Sequence, residues 1–313
     1  MLREVTGVVP LNTGVIWFCM VTMRLRRLAL CLLIAGILVA GVAWLNNNSS
    51  LPPSSRAKFL RDLDDAMATS RDWVLNVSLF GREEAAALLT NPALLHMVAD
   101  CAQASGDQRL QSLAANYFRV VSKPYWFGRL VDASSRFERP PDDYLQSLEA
   151  YQRWFLHAVA SGEYQLSAQD RADMFSADKN RTGKATHQLF ALYLYRNHHG
   201  ATPDLDRLIG RISARIASEA SIDFRVTDLY LQRVAFLLAA GKPDLIKHRW
   251  VERVFAAQQT DGGWLWSWYG WQPTPYRFQF AEVSSTSHPT VQGMWIAYML
   301  KYRYPQWVEK NYH

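Results

Sequence analysis

A single uncharged stretch near the N-terminus limits what this chain can fold into more than any other feature. It extends from Leu28 to Leu45 and contains only apolar residues and glycine. In an α-helix its 18 residues measure about 27 Å, close to the hydrocarbon thickness of a bilayer. The stretch therefore predicts one transmembrane helix that contacts the lipid bilayer through residues 28–45.

The charges on either side of this stretch predict its orientation. After the stretch the chain has no basic residue until Arg56, whereas three arginines precede it: Arg24, Arg26 and Arg27. By the positive-inside rule, residues 1–27 stay in the cytoplasm and the body lies outside, as in a bacterial inner-membrane protein that faces the periplasm. Gly41-Val42-Ala43 also resembles a signal-cleavage site, but the apolar stretch is longer than a usual signal core, which favours an uncleaved anchor.

The chain after the anchor has the composition of a linker followed by a globular domain. Residues 46–55 contain only asparagine, serine, leucine and proline, which favour turns, so we expect a short linker there and a folded domain over residues 56–313. The 268 residues after Leu45 carry 30 basic and 27 acidic groups. This near balance argues against a nucleic-acid partner, which requires a concentrated basic face.

Cysteine content limits the chemistry that the chain can support. Its three cysteines are too few for a disulfide framework or a cysteine-rich zinc site. Since no other metal-ligand motif stands out in the sequence, we expect no metal site, and we expect no cofactor.

The body is expected to be all-α. Apolar residues recur every three to four positions, and no alternating run is long enough to predict a sheet. Ten helices are predicted, over residues 57–79, 83–104, 107–121, 142–161, 167–175, 185–197, 204–219, 225–240, 244–259 and 289–303.

Three of these helices begin alike, which indicates a repeat. Each start places a polar residue, His187, Asp228 or His288, next to or near a threonine and ahead of an apolar helix. After the first two, a loop leads to an amphipathic helix with basic residues on its polar face. Since apolar helices belong inside a fold and amphipathic helices outside, the repeat predicts an α/α toroid of paired helical hairpins behind the transmembrane helix.

A glycine-rich turn supports the same architecture. Residues 258–264 are Gln-Gln-Thr-Asp-Gly-Gly-Trp, and this motif resembles the Gln-rich, Gly-Trp turn of the squalene-cyclase and protein-prenyltransferase superfamily. The resemblance covers the C-terminal part of the chain. It implies that Gln258 ends an outer helix, that the glycines form a tight turn and that Trp264 packs over it. Similar turns occur in α/α-toroid polysaccharide lyases, so the motif leaves the reaction open.

The segment after this turn is unusually aromatic. Eight aromatic residues lie between Trp264 and Phe280, and two prolines there disfavour a helix. Tryptophan and tyrosine faces suit sugar rings and isoprenoid chains, so the segment either lines a ligand site or only covers the end of the toroid. The predicted ligand-binding residues are Asp261, Trp264, Trp266, Trp268, Tyr269, Trp271 and Tyr276.

The polar residues at the helix starts form the predicted catalytic group. In a toroid, equivalent helix starts lie at one end, which would gather His187, Asp228 and His288, with Glu282 on a loop nearby. Imidazole and carboxylate groups serve as general acids and bases. The alternative is a structural role, since aspartate and threonine are ordinary helix caps.

Three functional hypotheses follow from these features. The first is a membrane-anchored extracytoplasmic protein whose aromatic cleft binds or processes an envelope glycan or a lipid-linked ligand, as a lyase or hydrolase if it is an enzyme. The second is a non-enzymatic scaffold or binding subunit of an envelope complex. The third, implied by the resemblance, is an isoprenoid-handling enzyme of terpene-cyclase type. Asp62-Leu63-Asp64-Asp65 matches the acidic string of such cyclases.

Overall fold

The computed structural model describes residues 13–48, 54–267 and 284–312, and most of these residues are helical. The chain divides into two compact units, Met1–Asn46 and Asn47–His313.

The α-helices are α1 (Thr13–Asn48), α2 (Arg56–Leu75), α3 (Arg82–Leu89), α4 (Pro92–Ser105), α5 (Gln108–Ala115), α6 (Tyr117–Val120), α7 (Gly128–Val131), α8 (Asp142–Ser147), α9 (Ala150–Ala160), α10 (Ala168–Met174), α11 (Thr182–His199), α12 (Pro203–Ile222), α13 (Asp228–Ala239), α14 (His248–Ala256), α15 (Ser287–Tyr298) and α16 (Pro305–Asn311). Short helical turns cover Val77–Phe80, Pro243–Leu245 and Met299–Arg303, and two short strands, β1 (Trp264–Leu265) and β2 (Ser285–Thr286), pair in antiparallel orientation.

Helix α1 contains the predicted anchor. Its segment Arg26–Asn48 is long and apolar enough to cross a membrane, with a mean hydropathy of 2.7. Apolar side chains along it are exposed, as expected of a surface that lipid covers: Val39, for example, is 68% exposed. The helix extends to Asn48, so the first residues of the predicted linker are helical. Residues 49–53 lie outside the described residues.

Local capping determines where one predicted helix is divided. Asn91 accepts hydrogen bonds through Oδ1 from the backbone nitrogens of Ala93 and Leu94, at 3.0 and 3.2 Å. Pro92 occupies the first position of α4, where its missing N–H costs nothing. The segment 83–104 therefore forms two helices, α3 and α4, instead of one.

The helices of the body differ in how much of their surface is buried. In α13 every side chain from Tyr230 to Ala239 is buried, whereas α14 buries one face that includes Trp250 and Val254. Helices α11 and α15 resemble α13 in being buried along most of their length. The apolar and amphipathic patterns of the sequence thus correspond to inner and peripheral helices.

The buried helices pack against one another in a consistent order. Helix α15 contacts α4 and α13, α13 contacts α11, α11 contacts α9, and α7 contacts both α9 and α4. The more polar helices α2, α5 and α12 pack on these: α2 on α15, α5 on α4, and α12 on α11 and α13. At the centre, the Phe190 and Phe236 rings stack 4.8 Å apart and the Trp295 ring meets the Phe190 ring edge-on.

Helices α13 and α15 run parallel, so the polar residues at their N-terminal ends lie close together. Asp228 at the start of α13 hydrogen-bonds His288 at the start of α15. At their other ends, the hydroxyl of Tyr304, which follows α15 in the chain, donates to the carbonyl oxygen of Leu238 in the last turn of α13 at 2.6 Å. The polar residues of both helix starts therefore share one end of the body.

The glycine-rich turn connects α14 to β1. Gly262 has a φ of +91°, and a Cβ there would lie 2.6 Å from the backbone oxygen of Thr69, so the turn requires glycine. The Trp264 side chain is 1% exposed, packs against Gly293 and donates through Nε1 to the Val254 carbonyl at 2.7 Å. The prediction of a tight turn with a buried tryptophan is confirmed.

Candidate functional site

The starts of α13 and α15 bring an aspartate and a histidine together. Nδ1 of His288 hydrogen-bonds Oδ1 of Asp228, and the two side chains are 25% and 12% exposed. The aspartate thereby fixes the orientation of the imidazole. Within the described residues no hydrogen bond reaches Nε2 of His288. This nitrogen can therefore exchange a proton with a ligand.

Trp266 lies beside this pair. Its ring centroid is 5.2 Å from that of His288, and the residue is 53% exposed. The β1–β2 pairing places Leu265 opposite Ser285, so Trp266 follows directly after the ladder and close to the start of α15. Its backbone oxygen also lies 3.5 Å from the Asp228 nitrogen. Of the predicted ligand-binding aromatics that fall within the described residues, Trp266 lies beside His288.

His187, in the second turn of α11, belongs to the same cluster. Its Nδ1 donates to the Gly183 carbonyl oxygen at 2.7 Å, which leaves Nε2 with the lone pair. Burial lowers the pKa of His187; the Gly183 carbonyl opposes this shift, the charge of His288 adds to it, and that of Asp228 opposes it. The neutral imidazole is thus favoured near neutral pH, and it is the form that accepts a proton. The structure brings Asp228 and His288 into contact, and the charges of both residues act on the pKa of His187.

His187 also forms part of the wall of an open cleft of about 790 Å³. Its ring stacks on Tyr151 from α9, with centroids 4.2 Å apart. Lys123 and Gln152 contribute polar groups to the same lining. A cleft of this size falls within the range of small-ligand sites. Its aromatic lining consists of Tyr117, Trp126, Phe127, Tyr144, Tyr151, Phe155, Phe190 and Phe236.

Sequence reasoning missed this cleft. One wall comes from the connection between α6 and α7 together with α8, where the Trp126 and Tyr144 rings lie 4.0 Å apart. The available signal was the aromatic-rich segment Tyr117–Phe127, which proline interrupts at position 124. Aromatic density alone does not show which rings face a cavity, because that depends on helices distant in sequence.

The remaining predicted site residues fall into two groups. Asp261 stabilises the turn by accepting hydrogen bonds through Oδ1 from the Gly263 nitrogen at 2.9 Å and from the Ser285 hydroxyl at 2.8 Å. The Trp264 ring lies in the core, so its position serves packing rather than ligand contact. Five predicted residues lie outside the described residues: Glu282, Trp268, Tyr269, Trp271 and Tyr276.

The acidic string that matches terpene cyclases lies on the surface of α2. Leu63 is buried, but the Asp64 side chain is 56% exposed and pairs with Lys301. Asp62 pairs with Lys58 one turn earlier. A carboxylic acid that protonates an alkene requires burial that keeps it protonated. This solvated, ion-paired face has no such environment.

No protein family, curated protein or solved structure matches this chain. Among the described residues, no group of three or more His, Cys, Asp or Glu side chains is placed to hold a metal ion. The chemistry available to the site therefore has to be inferred from its own groups. These are a neutral imidazole, an imidazole–carboxylate pair and an aromatic cleft with one lysine, a set that suits proton transfer on a ligand held by ring faces.

Proposed function

We propose that this protein is a single-pass membrane protein whose body, outside the cytoplasm, binds and processes an envelope glycan. The observation that carries the proposal is the position of His187. Its imidazole is a wall residue of the aromatic cleft and interacts electrostatically with Asp228 and His288. The His187 imidazole, which can accept a proton, therefore lies among aromatic rings that can stack on a sugar.

The proposed architecture is the α/α toroid. Contacts lead from α15 to α4, α7, α9, α11 and α13 and back to α15, which is the neighbour order of a closed ring of inner helices. Peripheral helices on that ring, and the shared direction of α13 and α15, support the same architecture. The orientation of the anchor rests on the arginines before it and the positive-inside rule.

The cleft favours a sugar that carries negative charge. Ring faces such as those of Tyr151 and Trp126 stack on the apolar faces of pyranose rings, while Gln152 offers hydrogen bonds. Lys123 is the cation of the described lining and would pair with a sugar carboxylate. A uronic-acid glycan combines these properties.

The proposed reaction is an elimination. The His187 Nε2 removes the proton from the ring carbon next to the sugar carboxylate. The electron pair left behind forms a carbon–carbon double bond, and the glycosidic carbon–oxygen bond at the neighbouring carbon breaks. The leaving oxygen takes a proton from Nε2 of protonated His288, which Asp228 orients through Nδ1. His187 gains one proton and His288 loses one, so the next cycle requires exchange with water.

The test uses isolated envelopes from cells that express the full-length chain. Wild-type protein should accumulate sugars with a new carbon–carbon double bond, detected by ultraviolet absorbance and mass spectrometry. His187→Gln should reduce this product by about 100-fold or more, because it removes the general base. His248→Gln is the matched control: it changes a histidine in the first turn of α14, away from the cleft, and should leave product formation unchanged.

The same experiment separates the proposal from its alternatives. Envelopes in which wild type and His187→Gln form equal amounts of product would contradict the role of His187. A wild-type protein that retains glycan yet forms no product would instead support the hypothesis of a binding subunit.

A further inference from the structure

The body begins with Asn47, whose side chain is buried among polar groups. We call the surrounding groups of Ala220, Ser221, Tyr230 and Arg253 the socket of Asn47. Asn47 is 0% exposed and donates through Nδ2 to the carbonyl oxygens of Ala220 and Ser221, at 2.7 and 2.9 Å. Its Oδ1 accepts a hydrogen bond from the Tyr230 hydroxyl at 2.8 Å and another from Arg253 at 2.5 Å. All hydrogen-bonding capacity of this side-chain amide is used, so its position relative to α12 and α13 is fixed.

In the membrane-anchored protein proposed above, covalent connectivity keeps this socket close to the surface of the bilayer. Only Asn46 separates Asn47 from Leu45, the last apolar residue of the predicted span. Consecutive Cα atoms are about 3.8 Å apart, so Asn47 lies within the headgroup layer whatever direction the anchor takes. The groups that hydrogen-bond to Asn47 must lie there too.

The candidate site is close to this socket because both involve the start of α13. Tyr230, which binds Asn47, follows Asp228, which binds His288, by two positions. Two residues advance about 3 Å along a helix, and a helix with its side chains is about 10–12 Å across. The Asp228–His288 pair therefore lies within roughly 15 Å of Asn47.

The end of α12 and the loop that follows it, between the socket and the site, expose apolar side chains. Ile222 is 69% and Phe224 45% exposed, and both lie between Ser221 of the socket and Asp228 of the site. Arg253 ties this loop to the socket by donating to the Phe224 carbonyl oxygen. Exposed apolar residues beside basic groups are typical of surfaces that enter the bilayer interface, where the apolar part leaves water and the cations meet anionic lipid.

We infer that the site takes a ligand presented by the membrane, namely a lipid-linked glycan whose sugar part enters the aromatic cleft while its lipid part stays in the bilayer. This inference rests on the proposed function. Ile222 and Phe224 hold the start of α13 against the outer leaflet, so sugars carried on membrane lipids reach His187 without leaving the surface. Confinement to the same surface raises the effective concentration of such a ligand over that of a soluble polymer.

The first test measures the position of the loop. Full-length protein, with its three native cysteines replaced by alanine, is labelled with a fluorophore at Phe224→Cys and placed in vesicles of phosphatidylethanolamine and phosphatidylglycerol. Brominated acyl chains should quench most of this fluorescence. Tyr302→Cys, an exposed position past the C-terminal end of α15, should keep its fluorescence. A Phe224 label as bright in brominated as in ordinary vesicles would overturn the inference.

The second test identifies the ligand class. A photoreactive benzoylphenylalanine replaces Tyr151 in the cleft of the full-length chain, and irradiated membranes are analysed by mass spectrometry. The same residue at Tyr302 is the control. We expect an adduct at position 151 that contains both sugar and a lipid chain, and none at position 302.

The adducts also distinguish the two proposals. Sugar without lipid at position 151 would overturn the present inference while leaving the proposed function standing. Lipid without sugar would overturn the proposed function while supporting a membrane-borne ligand. Absence of both would overturn the inference.

Discussion

The hydrogen bonding and the pKa of His187 depend on one residue of its own helix and on residues that are distant in the chain. Gly183, one turn earlier in α11, accepts the hydrogen bond from Nδ1, and this local contact leaves Nε2 free for proton transfer. Tyr151 and Asp228 come from other helices and provide the stacked ring and the nearby carboxylate. The sequence pattern singled out His187 as a polar residue near a helix start. Its lowered pKa arises from burial among neighbours that are distant in the chain.

The lowered pKa of His187 predicts a pH dependence of stability. In the unfolded chain the imidazole has its ordinary pKa of about 6.5, and in the folded protein the pKa is lower. The unfolded state therefore binds more protons as the pH falls through 6.5 towards the folded value, so the free energy of unfolding decreases over that range and is fully retained above it. Urea unfolding of full-length protein in micelles at several pH values measures this decrease.

His187→Gln should make the decline shallower than in wild type. It should not abolish it, because burial also lowers the pKa of His96, His157 and His198. An identical pH dependence in wild type and variant would contradict the predicted contribution of His187.

Truncation of two neighbouring tryptophans should change stability by very different amounts. Trp264→Ala is expected to lower the free energy of unfolding by about 3–5 kcal/mol, because it empties a fully buried site and removes the hydrogen bond to Val254. Trp266→Ala, at an exposed position two residues later, should change stability by less than about 0.5 kcal/mol. Chemical unfolding measures both, and a similar loss in the two variants would contradict the assignment of Trp264 to the core.

At the scale of elements, sequence patterns located the helices well because helix formation is largely local. Periodicity, proline positions and capping residues depend on neighbours within a few positions, and every predicted helix has a helical counterpart among the described residues. The division of the 83–104 segment into α3 and α4 follows from Asn91 and Pro92, which are visible in the sequence. The glycine-rich turn was predictable for the same reason.

Two glycines should differ in sign when replaced by alanine. Gly262→Ala is expected to destabilise by about 1–3 kcal/mol or more, because φ is +91° and the new Cβ would lie 2.6 Å from the Thr69 backbone oxygen. Gly210→Ala lies inside α12, where a Cβ would meet nothing within 4 Å, and should stabilise by roughly 0.5–1 kcal/mol. Thermal or chemical unfolding measures the stability of both variants. Stabilisation by Gly262→Ala would refute this account of the turn.

For the whole molecule, the proposed membrane anchor predicts on which side of the membrane the body lies. Alkaline phosphatase fused after His313 should be active and green fluorescent protein at the same point should be dark, because the positive-inside rule predicts that the arginines before Leu28 keep the N-terminus in the cytoplasm. Replacing Arg24, Arg26 and Arg27 with glutamate should reduce the phosphatase signal. A fusion that is active only with the cytoplasmic reporter would contradict the predicted orientation.

Properties that depend on local pattern could be predicted from the sequence: the apolar span, the mostly helical body, the buried and peripheral helices and the turn that ends at Trp264. The short β1–β2 pair was not predicted, because it joins residues about twenty positions apart. The sequence also singled out His187, Asp228 and His288, because equivalent helix starts in a repeat lie at equivalent heights. Three further features became visible in the folded protein: Asp228 and His288 share a hydrogen bond, Tyr151 and residues of the segment Tyr117–Phe127 line a cleft with His187, and Asn47 is buried against Tyr230 near the start of α13. These contacts join residues that are far apart in the chain. The packing of helices against one another determines which side chains meet, and the pattern along a single helix does not contain that information.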